Sequence, residues 1–157
     1  MPLIIYTEHQ EQAELIRWTK EPHTLRLYPE VEWLFAVPNG AKLPYTGKGK
    51  QRRSRQAVIL KAEGLKPGVP DLCLPVPAGG YHGLWIEMKS FRKGAKVSKD
   101  QAEWLKQLQV YGFCCKVCVG WVEARDEIML YLNSRHDPET RARFGLEEIK
   151  TFEVGEK

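Results

Sequence analysis

The sequence predicts an α/β fold in which a central mixed β-sheet is flanked by helices. Two short apolar segments, 71–76 and 84–90, are separated by a glycine turn and predict a β-hairpin. A nearly continuous apolar run at 113–119 follows an amphipathic helical pattern at 98–111. This combination predicts a strand that is reached through a helix and covered on both faces. Further helical patterns before and after these strands indicate packed layers of helix and sheet.

The N-terminal part is predicted to form a helix and then a strand. Residues 8–20 place apolar side chains at helical spacing behind a threonine suited to the N-cap, and Pro22 ends this helix. Residues 28–33 predict a short turn or helix. Residues 34–37 predict a strand, because the proline, asparagine and glycine at 38–40 are strong turn formers.

The remaining patterns complete the predicted order of elements. A segment rich in glycine, lysine and arginine, 42–55, leads into a helix predicted over 54–63. After the hairpin and the amphipathic helix, a last helix is predicted over 122–132. Because the sequence shows no internal repeat and no domain boundary, we expect one domain over 1–157, with a charged tail at 133–157.

Length and composition are typical of one soluble domain. The chain has 157 residues, of which 43% are hydrophobic and 28% are charged, and this excludes a wholly disordered chain. No apolar run approaches the roughly 20 residues of a membrane span. The N-terminus lacks the pattern of a secretory signal, so we expect a cytoplasmic protein with no membrane partner.

The charge is unevenly distributed along the chain. The net charge is only +4, but residues 33–62 carry seven basic residues and no acidic residue. The rest of the chain has 17 basic and 20 acidic residues, a net charge of −3. A basic segment on a slightly acidic body is typical of a polyanion binder such as a nucleic-acid-binding protein. The alternative is a loop whose charges only increase solubility.

The four cysteines are expected to be free thiols. Three of them lie in the apolar run at 113–119, unlike the dispersed cysteines of small disulfide-linked domains. Cys115 and Cys118 form a C-x-x-C pattern, but residues three apart in a strand point to opposite faces. A zinc-stabilised interaction module is therefore the weaker alternative to buried, apolar cysteine side chains.

Chemistry is concentrated in the hairpin. Glu87 and Lys89 are two residues apart, so they project from the same face of the predicted strand, while its apolar side chains project from the other. Asp71 begins the neighbouring strand, where its carboxylate can lie beside Glu87. Two close carboxylates suit a hard divalent cation such as Mg²⁺, to which the Met88 carbonyl can add a ligand. The alternative is a salt bridge of Lys89 with either carboxylate.

Several motifs in this order resemble the virus-type replication-repair nuclease (VRR-NUC) domain of the PD-(D/E)xK nuclease superfamily. The resemblance extends over roughly residues 8–132. It is strongest in three segments: GVPDL at 68–72, GLWIEMK at 83–89 and SKDQAEWL at 98–105. Weaker matches are PNG at 38–40, KAEGLKPG at 61–68, GF at 112–113 and GW at 120–121.

The resemblance implies a restriction-endonuclease-like core of the αβββαβ type, dependence on Mg²⁺ or Mn²⁺, and hydrolysis of phosphodiester bonds in DNA. Asp71, Glu87 and Lys89 match the signature residue by residue, as catalytic groups and, for the carboxylates, as metal ligands. Gln101 matches a glutamine on the helix after the E-x-K strand, which implies a catalytic role in contact with the lysine, the water or the DNA backbone. Its alternative interpretation is an ordinary polar residue at the edge of an apolar stripe.

The family also has a glutamate on its first helix that completes the metal site. Here Glu8, Glu11 and Glu14 compete for that role. Glu8 aligns best, because Gln12 follows four residues later on the same helical face, and Glu11 is the second candidate. Glu14 fits a solvated helix carboxylate.

The expected partner is DNA, of a branched or junction type. The residues that the resemblance and the charge pattern assign to DNA binding are Asn39, Lys42, Lys48, Lys50, Arg52, Arg53, Arg55, Arg92, Lys93 and Lys96. Trp33, Trp85 and Trp121 are candidates for stacking on unpaired bases, although core packing is the stronger expectation for each. The resemblance implies, as the leading hypothesis, a homodimeric enzyme of the Holliday-junction resolvase type, from a phage or its bacterial host. A flap nuclease and a DNA-binding module with an inactive site are the alternatives.

Overall fold

The computed structural model describes residues 5–38, 55–92 and 96–134, which form five helices, one 3₁₀ turn and four strands. The helices are α1 (Glu8–Thr19), α2 (Pro22–Leu27), α3 (Arg55–Ala62), α4 (Lys99–Val110) and α5 (Trp121–Asn133). The strands are β1 (Phe35–Ala36), β2 (Leu72–Leu74), β3 (Leu84–Lys89) and β4 (Cys114–Val119). The 3₁₀ turn, Pro29–Trp33, connects α2 to β1.

The sheet has the strand order β1-β2-β3-β4 and is mixed. The first three strands pair antiparallel, and the predicted hairpin is confirmed by the register that sets Leu72 opposite Ile86. β4 pairs parallel with β3, and α4 connects the two strands along the chain. A helix is followed by three antiparallel strands, and a further helix then leads to the parallel strand. This order confirms the predicted α/β fold.

The core lies where α1 and α5 pack together against β3. Ile86 and Met88 of β3 are buried in one hydrophobic cluster with Leu15 of α1 and Ile128 of α5. Because side chains alternate along a strand, Glu87 and Lys89 project from the opposite face of β3. The core therefore fixes the strand from one side and leaves its other side for polar groups.

Two elements differ from the sequence prediction. The run at 113–119 was expected to be covered on both faces, but Val117 and Val119 of β4 are 39% and 37% exposed, and that expectation is wrong. β4 is an edge strand of the described sheet, so its side chains contact fewer neighbouring residues than those of β3. Pro22 follows α1 as predicted, but it also begins α2, because proline fits the first position of a helix.

All four cysteines are free thiols, as predicted. Cys73 and Cys118 are buried, and the other two are half-buried. No group of three or more His, Cys, Asp or Glu side chains within the described ranges is placed to hold a metal ion. The zinc alternative therefore has no ligand set in this part of the chain. No helix among the described residues is long and apolar enough to cross a membrane.

We expect Cys73 and Cys118 to resist alkylation in the native protein. Burial raises the pKa of Cys73 to about 11 and that of Cys118 to about 12. At pH 8 a thiol with a pKa near 11 is ionised to only about one part in a thousand, and the thiolate is the reactive form. Labelling with iodoacetamide followed by mass spectrometry measures this, with urea-unfolded protein as the control. Equal labelling rates in native and unfolded protein would contradict the described burial.

Candidate active site

The hairpin brings Asp71 beside Glu87. Asp71 directly precedes β2, and the register of β2 and β3 places it opposite Glu87 on the neighbouring strand. Its Oδ2 accepts a hydrogen bond of 2.8 Å from the Met88 backbone N–H. This contact orients the Asp71 carboxylate towards β3, as the sequence pattern predicted.

Glu87 and Lys89 form a buried ion pair on one face of β3. The Lys89 Nζ lies 2.7 Å from the Glu87 Oε1, and the two side chains are 7% and 1% exposed. The salt bridge that the sequence offered as an alternative is therefore present between these two residues. A buried pair of charges is stable only when further hydrogen bonds compensate for the lost water.

Gln101 provides one of these hydrogen bonds from α4. Its Nε2 donates to the Glu87 Oε1 at 2.5 Å, and its Oε1 lies 3.5 Å from the Lys89 Nζ. Gln101 is held in place because it belongs to the capping box of α4. The Ser98 backbone N–H donates to the Gln101 Oε1 at 2.8 Å, and the Gln101 N–H donates to the Ser98 hydroxyl at 3.3 Å. Gln101 thus contacts both members of the ion pair.

The two carboxyl groups of the hairpin perturb each other. Burial raises the pKa of Glu87 to about 7; the Lys89 hydrogen bond opposes this rise and the charge of Asp71 adds to it. Burial also raises the pKa of Asp71, against the lowering effects of the Met88 N–H and the Lys89 charge. Without a cation, the Glu87 carboxyl therefore binds a proton more tightly than a carboxyl group in water does.

The site offers oxygen atoms that suit a divalent cation. The Glu87 Oε2 is buried and has no hydrogen-bond partner, which is costly for a carboxylate oxygen. The half-buried Asp71 carboxylate lies beside it. Mg²⁺ commonly binds one or two carboxylates and completes its shell with water and substrate oxygens. The residues present therefore fit such an ion without a third protein carboxylate in direct contact.

The family model of the VRR-NUC domain matches residues 6–121, which include every residue of this constellation. The chain belongs to the VRR-NUC domain family. A solved structure described as a "VRR_NUC domain protein" is 25% identical and superposes with a TM-score of 0.63, covering 84% of this chain and 93% of the other. No curated protein matches the chain. The family is one of nucleases, which implies DNA as the substrate.

The structure places the three candidate glutamates of the VRR-NUC first helix in different surroundings. Glu8 is exposed at the start of α1, and its charge contributes to the raised pKa of Asp71. Glu11 is buried, and its Oε2 accepts a hydrogen bond of 2.8 Å from the Trp121 backbone N–H at the start of α5. Glu14 pairs with Arg17. Of the three, Glu8 is the one whose charge acts on Asp71 and which has no described hydrogen bond or ion pair.

The cap that Glu11 provides for α5 is a role that sequence reasoning missed. The two residues are 110 positions apart, so no local pattern connects them. A buried carboxylate at a helix N-terminus satisfies a free backbone N–H and interacts favourably with the helix dipole. The only signal in the sequence was the number of glutamates in one short helix.

Few of the DNA-binding candidates lie in the described part of the chain. Arg92 and Lys96 are exposed beyond the end of β3, and the backbone of Arg55 begins α3. The others lie outside the described residues: Asn39, Lys42, Lys48, Lys50, Arg52, Arg53 and Lys93.

Trp33 is 66% exposed, so the expectation that it packs in the core is wrong, whereas Trp85 and Trp121 are half-buried.

We expect the metal-free protein to lose stability as the pH rises from about 4.5 to about 7. The folded-state pKa of Glu87, about 7, lies above its ordinary value of 4.5, so the folded state binds this proton more tightly. Relative to wild type, Glu87→Gln should therefore gain on the order of 1 to 3 kcal/mol of unfolding free energy between pH 5 and pH 8. Urea unfolding in EDTA at both pH values measures this. Glu103→Gln, at an exposed position of α4, should show no such gain.

The pair Glu8→Ala and Glu11→Ala separates the two main candidates for the helix carboxylate. Glu11→Ala leaves the Trp121 N–H without its partner and should lower the unfolding free energy by about 1–3 kcal/mol. Glu8→Ala removes an exposed side chain and should change it by less than about 0.5 kcal/mol. Mn²⁺ titration followed by calorimetry should show weaker binding for Glu8→Ala than for folded Glu11→Ala. The reverse order would assign the metal role to Glu11.

Proposed function

We propose that this protein is a Mg²⁺- or Mn²⁺-dependent endonuclease that cuts branched DNA as a homodimer, in the manner of a Holliday-junction resolvase. The observation that carries the proposal is the intact constellation of Asp71 with the buried pair Glu87 and Lys89, in which one Glu87 oxygen has no partner. An inactive DNA-binding module would have little reason to retain a costly buried carboxylate in this state.

The Asp71 carboxylate, the Glu87 Oε2 and the Met88 carbonyl would hold the divalent cation, and Glu8 on α1 would add its negative charge to the site. When bound, the ion would supply Lewis-acid polarisation of the scissile phosphate. The Met88 N–H already holds the Asp71 carboxylate in place before a cation arrives. Such preorganisation lowers the cost of assembling the site at the moment of reaction.

Lys89 is proposed as the catalytic cation of the chain. Two of its three N–H donors face the Glu87 Oε1 and the Gln101 Oε1, so it retains one donor for a water molecule or a phosphate oxygen. In that position it orients the attacking water and stabilises the negative charge that develops on the phosphate. Gln101 keeps the ion pair in register, because it contacts both Glu87 and Lys89.

The basic residues would neutralise DNA phosphates without reading the base sequence. Arg92 and Lys96 follow the catalytic strand directly, and the basic segment at 42–55 would contact the backbone elsewhere. In a homodimer with two-fold symmetry, two such sites would face the two symmetry-related strands of a four-way junction. A monomer would instead suit a flap, which has one cleavage site.

Cleavage of labelled DNA tests the proposal. We expect Mg²⁺- or Mn²⁺-dependent nicking of a four-way junction in preference to linear duplex, and no product in EDTA. Lys89→Ala and Glu87→Gln should each lower the rate by about 10²-fold or more, since removing one preorganised charge-stabilising group has effects of this size. Lys106→Ala, which removes an exposed charge from α4, is the control and should cleave like wild type.

The product pattern and the mass in solution separate the alternatives. Paired symmetric nicks from a dimer support a resolvase, whereas a single cut near a flap by a monomer supports a flap nuclease. If the protein binds branched DNA but cleaves none with any metal, and Lys89→Ala behaves like wild type, the nuclease proposal is wrong. The protein is then a DNA-binding module with an inactive site.

A further inference from the structure

The side-chain amide of Gln101 connects the cap of α4 to the ion pair on β3. An amide group has an acceptor end and a donor end, and here both ends are in use. The oxygen end accepts from the Ser98 backbone N–H at 2.8 Å, and the nitrogen end donates to the Glu87 Oε1 at 2.5 Å. The amide therefore has one orientation that satisfies both neighbours.

The opposite orientation of the amide is unfavourable at both ends. A rotation by half a turn would place the Nε2 against the Ser98 N–H, so that two donors meet. It would also place the Oε1 against the Glu87 carboxylate, so that two acceptors meet. The backbone N–H of Ser98 is the closer of two donors to the amide oxygen, at 2.8 Å against 3.5 Å for the Lys89 Nζ, and so contributes most to which end of the amide faces Glu87. The Ser98 hydroxyl has no part in this choice, because it contacts the Gln101 backbone N–H instead.

The amide orientation decides how the two oxygens of Glu87 are used. The Oε1 receives two donors, the Lys89 Nζ at 2.7 Å and the Gln101 Nε2 at 2.5 Å. The Oε2 receives none, although it is buried. With both donors concentrated on one oxygen, the carboxylate cannot rotate without losing both of them. The other oxygen is thereby kept free and in a fixed position.

The first turn of α4 is itself fixed close to the hairpin. A Cβ added at Gly68 would lie 2.6 Å from the Asp100 carbonyl carbon and 2.8 Å from the Gln101 backbone nitrogen. The Trp104 Nε1 also donates to the Pro67 carbonyl at 3.0 Å. The glycine turn that leads into Asp71 therefore packs directly on the helix that carries Gln101. The capping box cannot shift without displacing the segment that leads into the predicted metal ligand.

We propose that Ser98 is a positioning residue whose backbone N–H, acting through the Gln101 amide, keeps the Glu87 Oε2 free for the divalent cation. This proposal rests on the proposed function, because it concerns the same cation site. It assigns to a helix-capping motif a second task beyond the stability of its helix.

A matched pair of substitutions separates the two tasks. Ser98→Ala and Ser98→Pro both remove the hydroxyl, but only proline removes the backbone N–H. The φ angle of Ser98, −75°, is compatible with proline. Ser98→Ala should lose about 1 kcal/mol of stability and bind Mn²⁺ within about two-fold of wild type. Ser98→Pro should bind Mn²⁺ about ten-fold or more weakly, as for other groups that orient metal ligands. Calorimetric titration with Mn²⁺ alone provides this readout without any cleavage assay.

The same pair is then repeated in a Gln101→Ala background. If Ser98 acts through Gln101, the difference in Mn²⁺ affinity between the alanine and proline variants should disappear there. A difference that persists would mean that proline acts only by disturbing the helix, and it would overturn the proposal. Equal affinities of the alanine and proline variants in the presence of Gln101 would overturn it as well.

Hydrogen exchange of the Gln101 side-chain NH₂ in metal-free wild type tests the orientation without any variant. Protection of this group by NMR supports the proposal, because the NH₂ then donates to a buried carboxylate. An unprotected NH₂ would contradict it even if Ser98→Pro fails to fold. If wild type binds no Mn²⁺, the proposed function and this proposal fail together. If wild type binds Mn²⁺ but the two Ser98 variants agree, only the positioning role fails.

Discussion

The buried ion pair of Glu87 and Lys89 on β3 is the contact on which the candidate site depends. Burial removes both charges from water at a cost of several kcal/mol per ion, and their attraction offsets this cost only with good geometry and further hydrogen bonds. Gln101 supplies a hydrogen bond from α4, and Asp71 lies beside the pair from the hairpin. The arrangement is therefore stable only when the hairpin and α4 are both in place.

The polar side chains of the site are held by hydrogen bonds to the backbone of a strand or a helix. Asp71 is held by a backbone N–H of the neighbouring strand, and Gln101 by the capping box of its helix. The apolar side of β3 packs against α1 and α5, and this packing holds the strand in place. A VRR-NUC site of this kind combines an ordinary hydrophobic core on one face of a strand with a costly electrostatic arrangement on the other.

The sequence predicted those features that depend on nearby residues. The hairpin and the shared face of Glu87 and Lys89 follow from turn chemistry and strand alternation, which are local rules. It did not predict the exposure of Val117, because whether a strand is at an edge depends on the order of the whole sheet. Nor did it reveal the contact of Glu11 with α5, or that Gln101 donates a hydrogen bond to Glu87 as well as lying near Lys89. These features arise only when distant segments meet.

The contact between Glu11 and the start of α5 also has a consequence for the order of folding. It joins residues 110 positions apart. Closing a long loop costs more conformational entropy than closing a short one, and this cost arises before the new contacts form. The hairpin closes a much shorter loop, so it is expected to form earlier than the docking of α1. A chain that has formed the hairpin but has not docked α1 has Asp71 beside Glu87 without Glu8, the first-helix carboxylate proposed for the cation site. The proposed cation site is therefore complete only in the finished fold.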